Sequence, residues 1–127
     1  MRHLLGILLV LWPMTVNSHD LVPTYPKVKE SHVSGIYQVK LSTWNRREEV
    51  EYYEIGVFDE DFEPVRFATI EKIVRIQYLS KKKFAVYIKE TDLDRAVYIC
   101  ITSKTKKAKL TRTVISSRVC SKIKRRI

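Results

Sequence analysis

Short stretches in which apolar and polar residues alternate recur along the chain after residue 35. In residues 36–41, Tyr37, Val39 and Leu41 alternate with polar residues. The same period of two continues in residues 50–58, 72–78 and 84–88. Because successive side chains of a β-strand point to opposite faces of its sheet, this pattern predicts strands with one face in a core.

The last third of the chain predicts a β-hairpin, with strands at residues 94–102 and 114–124 and a lysine-rich loop at 104–109. Together with the earlier stretches this gives about seven short strands separated by polar turns. No segment carries a sustained apolar stripe with helical spacing, and residues 91–95 allow at most one helical turn. The sequence therefore predicts a single all-β domain, an antiparallel β-sandwich of the immunoglobulin type.

The N-terminus has the three-part layout of a secretory signal peptide. Arg2 supplies positive charge, residues 4–12 are apolar throughout, and cleavage after Ser18 leaves His19 as the first residue. The apolar stretch is too short to span a bilayer, and no later stretch is apolar enough, so stable membrane insertion is not expected. The predicted organisation is a signal peptide at 1–18, an extended segment with the first strand at 19–33, and the sandwich at 34–127. A signal anchor retained in the bilayer is the alternative.

Export would carry the only two cysteines, Cys100 and Cys120, into an oxidising compartment. One lies on each strand of the predicted hairpin. In an exported domain of this size, two cysteines more often form a disulfide than a metal site or a nucleophile. The sequence therefore predicts a disulfide between them.

The chain is strongly basic, and its positive charge is concentrated toward the C-terminus. Residues 1–18 hold one of the 24 lysines and arginines and none of the 14 acidic residues, so the remainder carries a net charge of +9. The loop at 104–109 and the segment 122–126 are explained either as solvated charge or as a surface for an anionic ligand. Export argues against nucleic acid as that ligand.

Catalysis finds no support in the sequence. His3 belongs to the signal peptide, and His19 and His32 lie in the extended segment that follows. There is no HExxH, Cys-x-x-Cys or GxSxG motif, and three glycines cannot build a phosphate-binding loop. We therefore expect no enzyme, no cofactor and no metal site.

Three segments carry a resemblance to a known family. Asp94 and Arg95 open a strand that continues Val97-Tyr98-Ile99, a basic turn and strand fill residues 79–86, and Lys122-Ile123-Lys124 ends the last strand. This order is similar to the N-terminal immunoglobulin-like domain of periplasmic fimbrial (PapD-like) chaperones, in a divergent, single-domain form, over about 100 residues. Some members carry a disulfide on the same pair of strands.

The resemblance implies that the last strand pairs with a pilus or secretion-apparatus subunit that lacks a strand. It implies that Lys122 anchors the terminal carboxylate of the subunit, with a basic residue of the first strand, Lys27 or Lys29, assisting. The other partner-binding residues it implies are Arg118, Ile115 and Lys124.

The expected function is then that of a periplasmic chaperone-like assembly factor. A homodimer through the same edge strand stays open. The alternative is a secreted basic immunoglobulin-like module, periplasmic or extracellular, that binds an anionic surface or a cell-surface protein.

Overall fold

The computed structural model describes residues 19–104 and 117–124, which form eight β-strands and one short helix. In chain order these are β1 (Asp20–Val22), β2 (Lys29–Glu30), β3 (Ile36–Trp44), β4 (Tyr52–Phe58), β5 (Ile73–Arg75), β6 (Lys81–Lys89), α1 (Glu90–Leu93), β7 (Tyr98–Lys104) and β8 (Arg118–Lys122). The predicted signal peptide at 1–18 lies outside the described residues.

The strands form two antiparallel sheets of four strands each. In the first sheet β3 is central, with β6 along one side and both β1 and β2 along the other. The second sheet has the order β5-β4-β7-β8, so β8 lies at an edge. The predicted all-β, immunoglobulin-like fold is confirmed. The number of strands exceeds seven because the first edge strand is divided into β1 and β2, which pair with opposite ends of β3.

Alternating side chains from the two sheets fill the core between them. On β4, Tyr53, Ile55 and Val57 are buried, whereas the residues between them are only partly covered. The remaining core of the central strands follows the same rule and comprises Val39, Leu41, Val86, Ile88, Ile99 and Ile101. The period of two read from the sequence therefore identified the inward faces of β3, β4 and β6 correctly.

Two predicted strands are shorter in the structure. Within 72–78 only β5 pairs as a strand, although Ile76 stays buried and donates its N–H to the Glu51 carbonyl at 2.7 Å. Within 94–102 the strand begins at Tyr98, because α1 precedes it and the following N–H groups of Arg95 and Ala96 bond back to carbonyls in α1. The single helical turn predicted near 91–95 thus lies at Glu90–Leu93.

A buried amide at the end of β3 ties three parts of the fold together. The Asn45 side chain donates to the carbonyls of Val50 at 2.6 Å and Ile76 at 2.8 Å. Its Oδ1 accepts from the Tyr53 hydroxyl at 2.5 Å and from the Arg47 N–H at 2.9 Å. Asn45 is fully buried, so these bonds replace those that water would otherwise make.

Candidate functional site

The last strand, β8, is joined covalently to its neighbour β7. In the antiparallel register Cys100 lies opposite Cys120, and their sulfur atoms form a bond of 2.05 Å. The predicted disulfide is therefore present. It holds the edge strand against the interior strand of the sheet at the middle of their paired length.

Only one side of the β8 main chain bonds to β7. The N–H of Ile123 donates to the Val97 carbonyl at 2.8 Å, and the N–H of Ser103 donates to the Ser117 carbonyl at 2.9 Å. Because hydrogen bonding alternates along an antiparallel strand, the odd-numbered residues of 117–123 direct their main-chain groups toward β7. The even-numbered residues direct theirs toward the opposite edge.

That outer edge is closed over half its length by the chain itself. The N–H groups of Lys122 and Lys124 donate to the carbonyls of Thr24 at 3.0 Å and Pro26 at 2.9 Å, in a parallel pairing. The outward main-chain groups of Arg118 and Cys120 make no hydrogen bond within 19–104 and 117–124. In the described residues the main chain of this edge is thus free of hydrogen bonds in its N-terminal half, where β1 passes nearby, and paired in its C-terminal half; we call this edge half-open.

The side chains of β8 divide between the core and the outer face. Ser121 is fully buried, whereas Arg118, Lys122 and Lys124 are exposed on the outer face of the sheet. The Arg118 guanidinium lies 4.9 Å from the centre of the Phe58 ring, a cation–π contact that orients it along that face. Three of the predicted partner-binding residues therefore share one surface.

The structure separates the two lysines of the first strand. Lys27 forms a bridge opposite Lys124 and so joins the basic end of β8. Lys29 belongs to β2 and pairs with Gln38 in the other sheet, away from β8. Of the two candidates only Lys27 is brought to the predicted site. Ile115 lies outside the described residues.

His19, to which the sequence analysis assigned no role, is buried beneath the start of β8. Its Nε2–H donates to the Ile101 carbonyl at 2.8 Å, and its Nδ1 lies 3.4 Å from Ser117 Oγ. The ring also packs against Tyr53 at 4.8 Å between centroids. Burial lowers the pKa of His19, although the bond to the Ile101 carbonyl partly opposes this. No local pattern signals this contact, because it joins His19 to residues that are 82 and 98 positions away in the sequence.

Within 19–104 and 117–124, no group of three or more His, Cys, Asp and Glu side chains is arranged to hold a metal ion. In the same part of the chain, no helix has the length and apolar character needed to cross a membrane.

The fold is similar to the solved structures of two periplasmic chaperones. The solved structure of the E. coli chaperone DraB is 14% identical, with a TM-score of 0.61, over 84% of this chain and 54% of DraB. That of the periplasmic chaperone SfaE is also 14% identical, with a TM-score of 0.54, over 84% of this chain and 56% of SfaE.

These likenesses confirm the chaperone-like fold expected from the sequence resemblance. The chain spans about half the length of either structure. No protein-family model matches the sequence, and no curated protein matches it.

Proposed function

We propose that this protein is a periplasmic chaperone-like assembly factor that binds a pilus or secretion-apparatus subunit by pairing with the outer edge of β8. The observation that carries the proposal is the half-open edge, unpaired at Arg118 and Cys120 and closed beyond them by Thr24 and Pro26. The similarity in fold to two chaperones supports it. The disulfide fits an oxidising compartment such as the periplasm.

A half-open edge favours one kind of ligand. An extended segment that adds to β8 gains main-chain hydrogen bonds at the open positions and cannot continue past Thr24, where the edge is already paired. A strand that ends at this point, with a free C-terminus, can pair with the edge without breaking the main-chain hydrogen bonds of Thr24 and Pro26. The incoming strand runs parallel to β8 in this arrangement, so that its C-terminus lies toward Lys122.

Positive charge is concentrated where that C-terminus would lie. Lys122 ends β8, Lys124 follows two residues later, and Lys27 is bridged to Lys124. Within the described residues none of these three ammonium groups pairs with a carboxylate. Each is therefore available to form a charge-assisted hydrogen bond with a terminal carboxylate, and we assign Lys122 as the anchor with Lys27 assisting.

Affinity capture from periplasmic extract in high salt tests this function. We expect the wild type to retain a pilin-like or secretion subunit that Lys122→Ala does not retain, because main-chain pairing survives salt while the anchor is lost. Lys40→Ala is the matched control, since it removes an exposed strand lysine on the other sheet. Equal capture by Lys122→Ala and the wild type would remove the anchor role.

A peptide copy of the C-terminal strand of the captured subunit sharpens the result. With a free carboxylate it should bind at least about ten-fold more tightly than the same peptide with a C-terminal amide, the factor expected for a hydrogen bond to a charged group. Lys122→Ala should erase that difference. A peptide that binds equally well in both forms would contradict carboxylate recognition.

A further inference from the structure

The outer face of the first sheet is basic across its whole width. On β3 and β6 the inward side chains, such as Val39 and Val86, are fully buried, and the residues that alternate with them point outward. The cations on this outer face and at its border are Lys29, Lys40, Arg46, Lys81, Lys83 and Lys89. Arg46 pairs with Asp20 at 3.4 Å, and two further carboxylates, Asp92 and Glu71, border the face near Lys89 and Lys83.

The lysines of this face do not serve the fold as ion pairs. Within the described ranges none of the five lies within bonding distance of a carboxylate. Lysine often protects a sheet edge from pairing with other chains, and this explains Lys81 and Lys83 on β6. It does not explain Lys40, because β3 is the central strand and has neighbours on both sides. A group of unpaired cations on one face produces a positive potential that attracts an anionic partner.

Exposed apolar side chains border the same lysines. Trp44 is 40% exposed beside Lys81, and Val22 is 44% exposed. Ile70 is 93% exposed and lines a shallow depression together with Val22, Lys40 and Lys83. A tryptophan and bare aliphatic groups among lysines match a surface with anionic headgroups above an apolar layer, and a soluble polyanion would leave the apolar groups in water.

We infer that the outer face of the first sheet docks on the surface of a bilayer containing anionic phospholipid. The lysines contact phosphate headgroups, while Trp44, Val22 and Ile70 enter the boundary between headgroups and acyl chains. This site is separate from the proposed function, because β8 belongs to the edge of the other sheet and stays accessible when the face is covered.

Vesicle binding by the chain starting at His19, which contains every described residue, tests the inference. We expect sedimentation with phosphatidylcholine vesicles that contain phosphatidylglycerol and none with phosphatidylcholine alone. Each lysine near an anionic surface contributes about a five-fold increase in the membrane partition coefficient. Lys40→Ala combined with Lys83→Ala should therefore lower this coefficient about 25-fold. Trp44 is the only tryptophan from His19 onward, so the fluorescence emission of this shortened chain should shift to shorter wavelength on binding.

The matched control is Lys122→Ala combined with Lys124→Ala, which removes the same charge from the other sheet. In about 0.1 M salt the Debye length is about 10 Å, so lysines across the sandwich contribute little, and this variant should bind vesicles as the wild type does. Equal weakening by both pairs would show that net charge alone acts and would overturn the inference. Two results together would also overturn the inference: vesicle binding without a shift in Trp44 emission, and equally strong binding to soluble dextran sulfate. They would show that the face binds any polyanion and that Trp44 does not enter the bilayer. Loss of vesicle binding leaves the capture test of β8 unaffected, so the two proposals fail separately.

Discussion

Replacing Asn45 with alanine should destabilise this fold more than its position in a loop suggests. The side chain donates to the carbonyls of Val50 and Ile76 and accepts from the Tyr53 hydroxyl and the Arg47 N–H. These partners lie on the loop after β3, on β4 and just after β5, and an alanine satisfies none of them.

The magnitude follows from how many partners stay buried. Val50, Tyr53 and Ile76 are each no more than 3% exposed, so water cannot readily replace the lost bonds, whereas the half-buried Arg47 can recover one. At about 1–1.5 kcal/mol for each buried group left without a partner, Asn45→Ala should lower the free energy of unfolding by about 4 kcal/mol. That is a large share of the roughly 5–15 kcal/mol of a small domain and corresponds to a Tm lower by about 15–25 °C.

Urea denaturation followed by circular dichroism measures the change. Tyr53→Phe removes one member of the network and should cost about 1 kcal/mol. Gln77→Ala is the matched control, because it removes an exposed amide side chain and should alter the free energy by less than about 0.5 kcal/mol. If Asn45→Ala costs no more than Gln77→Ala, the buried network does not hold these segments together.

Two further changes test the surroundings of β8. The double variant Cys100→Ala, Cys120→Ala removes a cross-link over a sequence separation of 20 and should lower the free energy of unfolding by about 3 kcal/mol, measured by denaturation against the wild type with and without reductant. Reduction of the wild type should lower the free energy of unfolding by a similar amount. If reduction lowers it by far less than the double substitution does, the loss in the variant comes from packing and not from the cross-link. The lowered pKa of His19 means that the unfolded chain binds its proton more readily, so stability should fall as the pH drops below about 6.5, toward the folded-state pKa. His19→Gln should remove that part of the pH dependence in thermal melts between about pH 7 and pH 5; an unchanged profile would contradict it.

The sequence predicted those parts of the fold that depend on local alternation. Tyr53, Val39 and Val86 lie in the core as expected, because a period of two fixes which face of a strand turns inward once one face is buried. It could not predict that Asn45 and His19 are buried. Their polar groups are satisfied by carbonyls and hydroxyls from distant segments, and no local pattern encodes such partners.

The candidate site likewise contains features that the sequence could predict and others that it could not. The pairing of Cys100 with Cys120 could be predicted, because the sequence pattern showed two adjacent strands of a hairpin with one cysteine on each. The choice between Lys27 and Lys29 could not be made from the sequence, since the two lysines are only two positions apart and have similar neighbours. It is decided by the point at which the first strand leaves β8 and joins β3, which places Lys27 in one sheet and Lys29 in the other.

The lysines of β8 can protect an edge and bind a partner at the same time. An open strand edge invites pairing with a second copy of the same chain, and a row of cations discourages this, because the copy brings its own Arg118 and Lys122 against them. A strand that ends in a carboxylate is attracted instead, because its negative charge faces the same cations that repel a second copy of the chain. Under the proposed function, protection against self-association and selection of a C-terminal strand would both follow from one arrangement of charge. The capture experiment separates them: protection alone predicts that Lys122→Ala self-associates more readily and captures as before, whereas anchoring predicts that capture is lost.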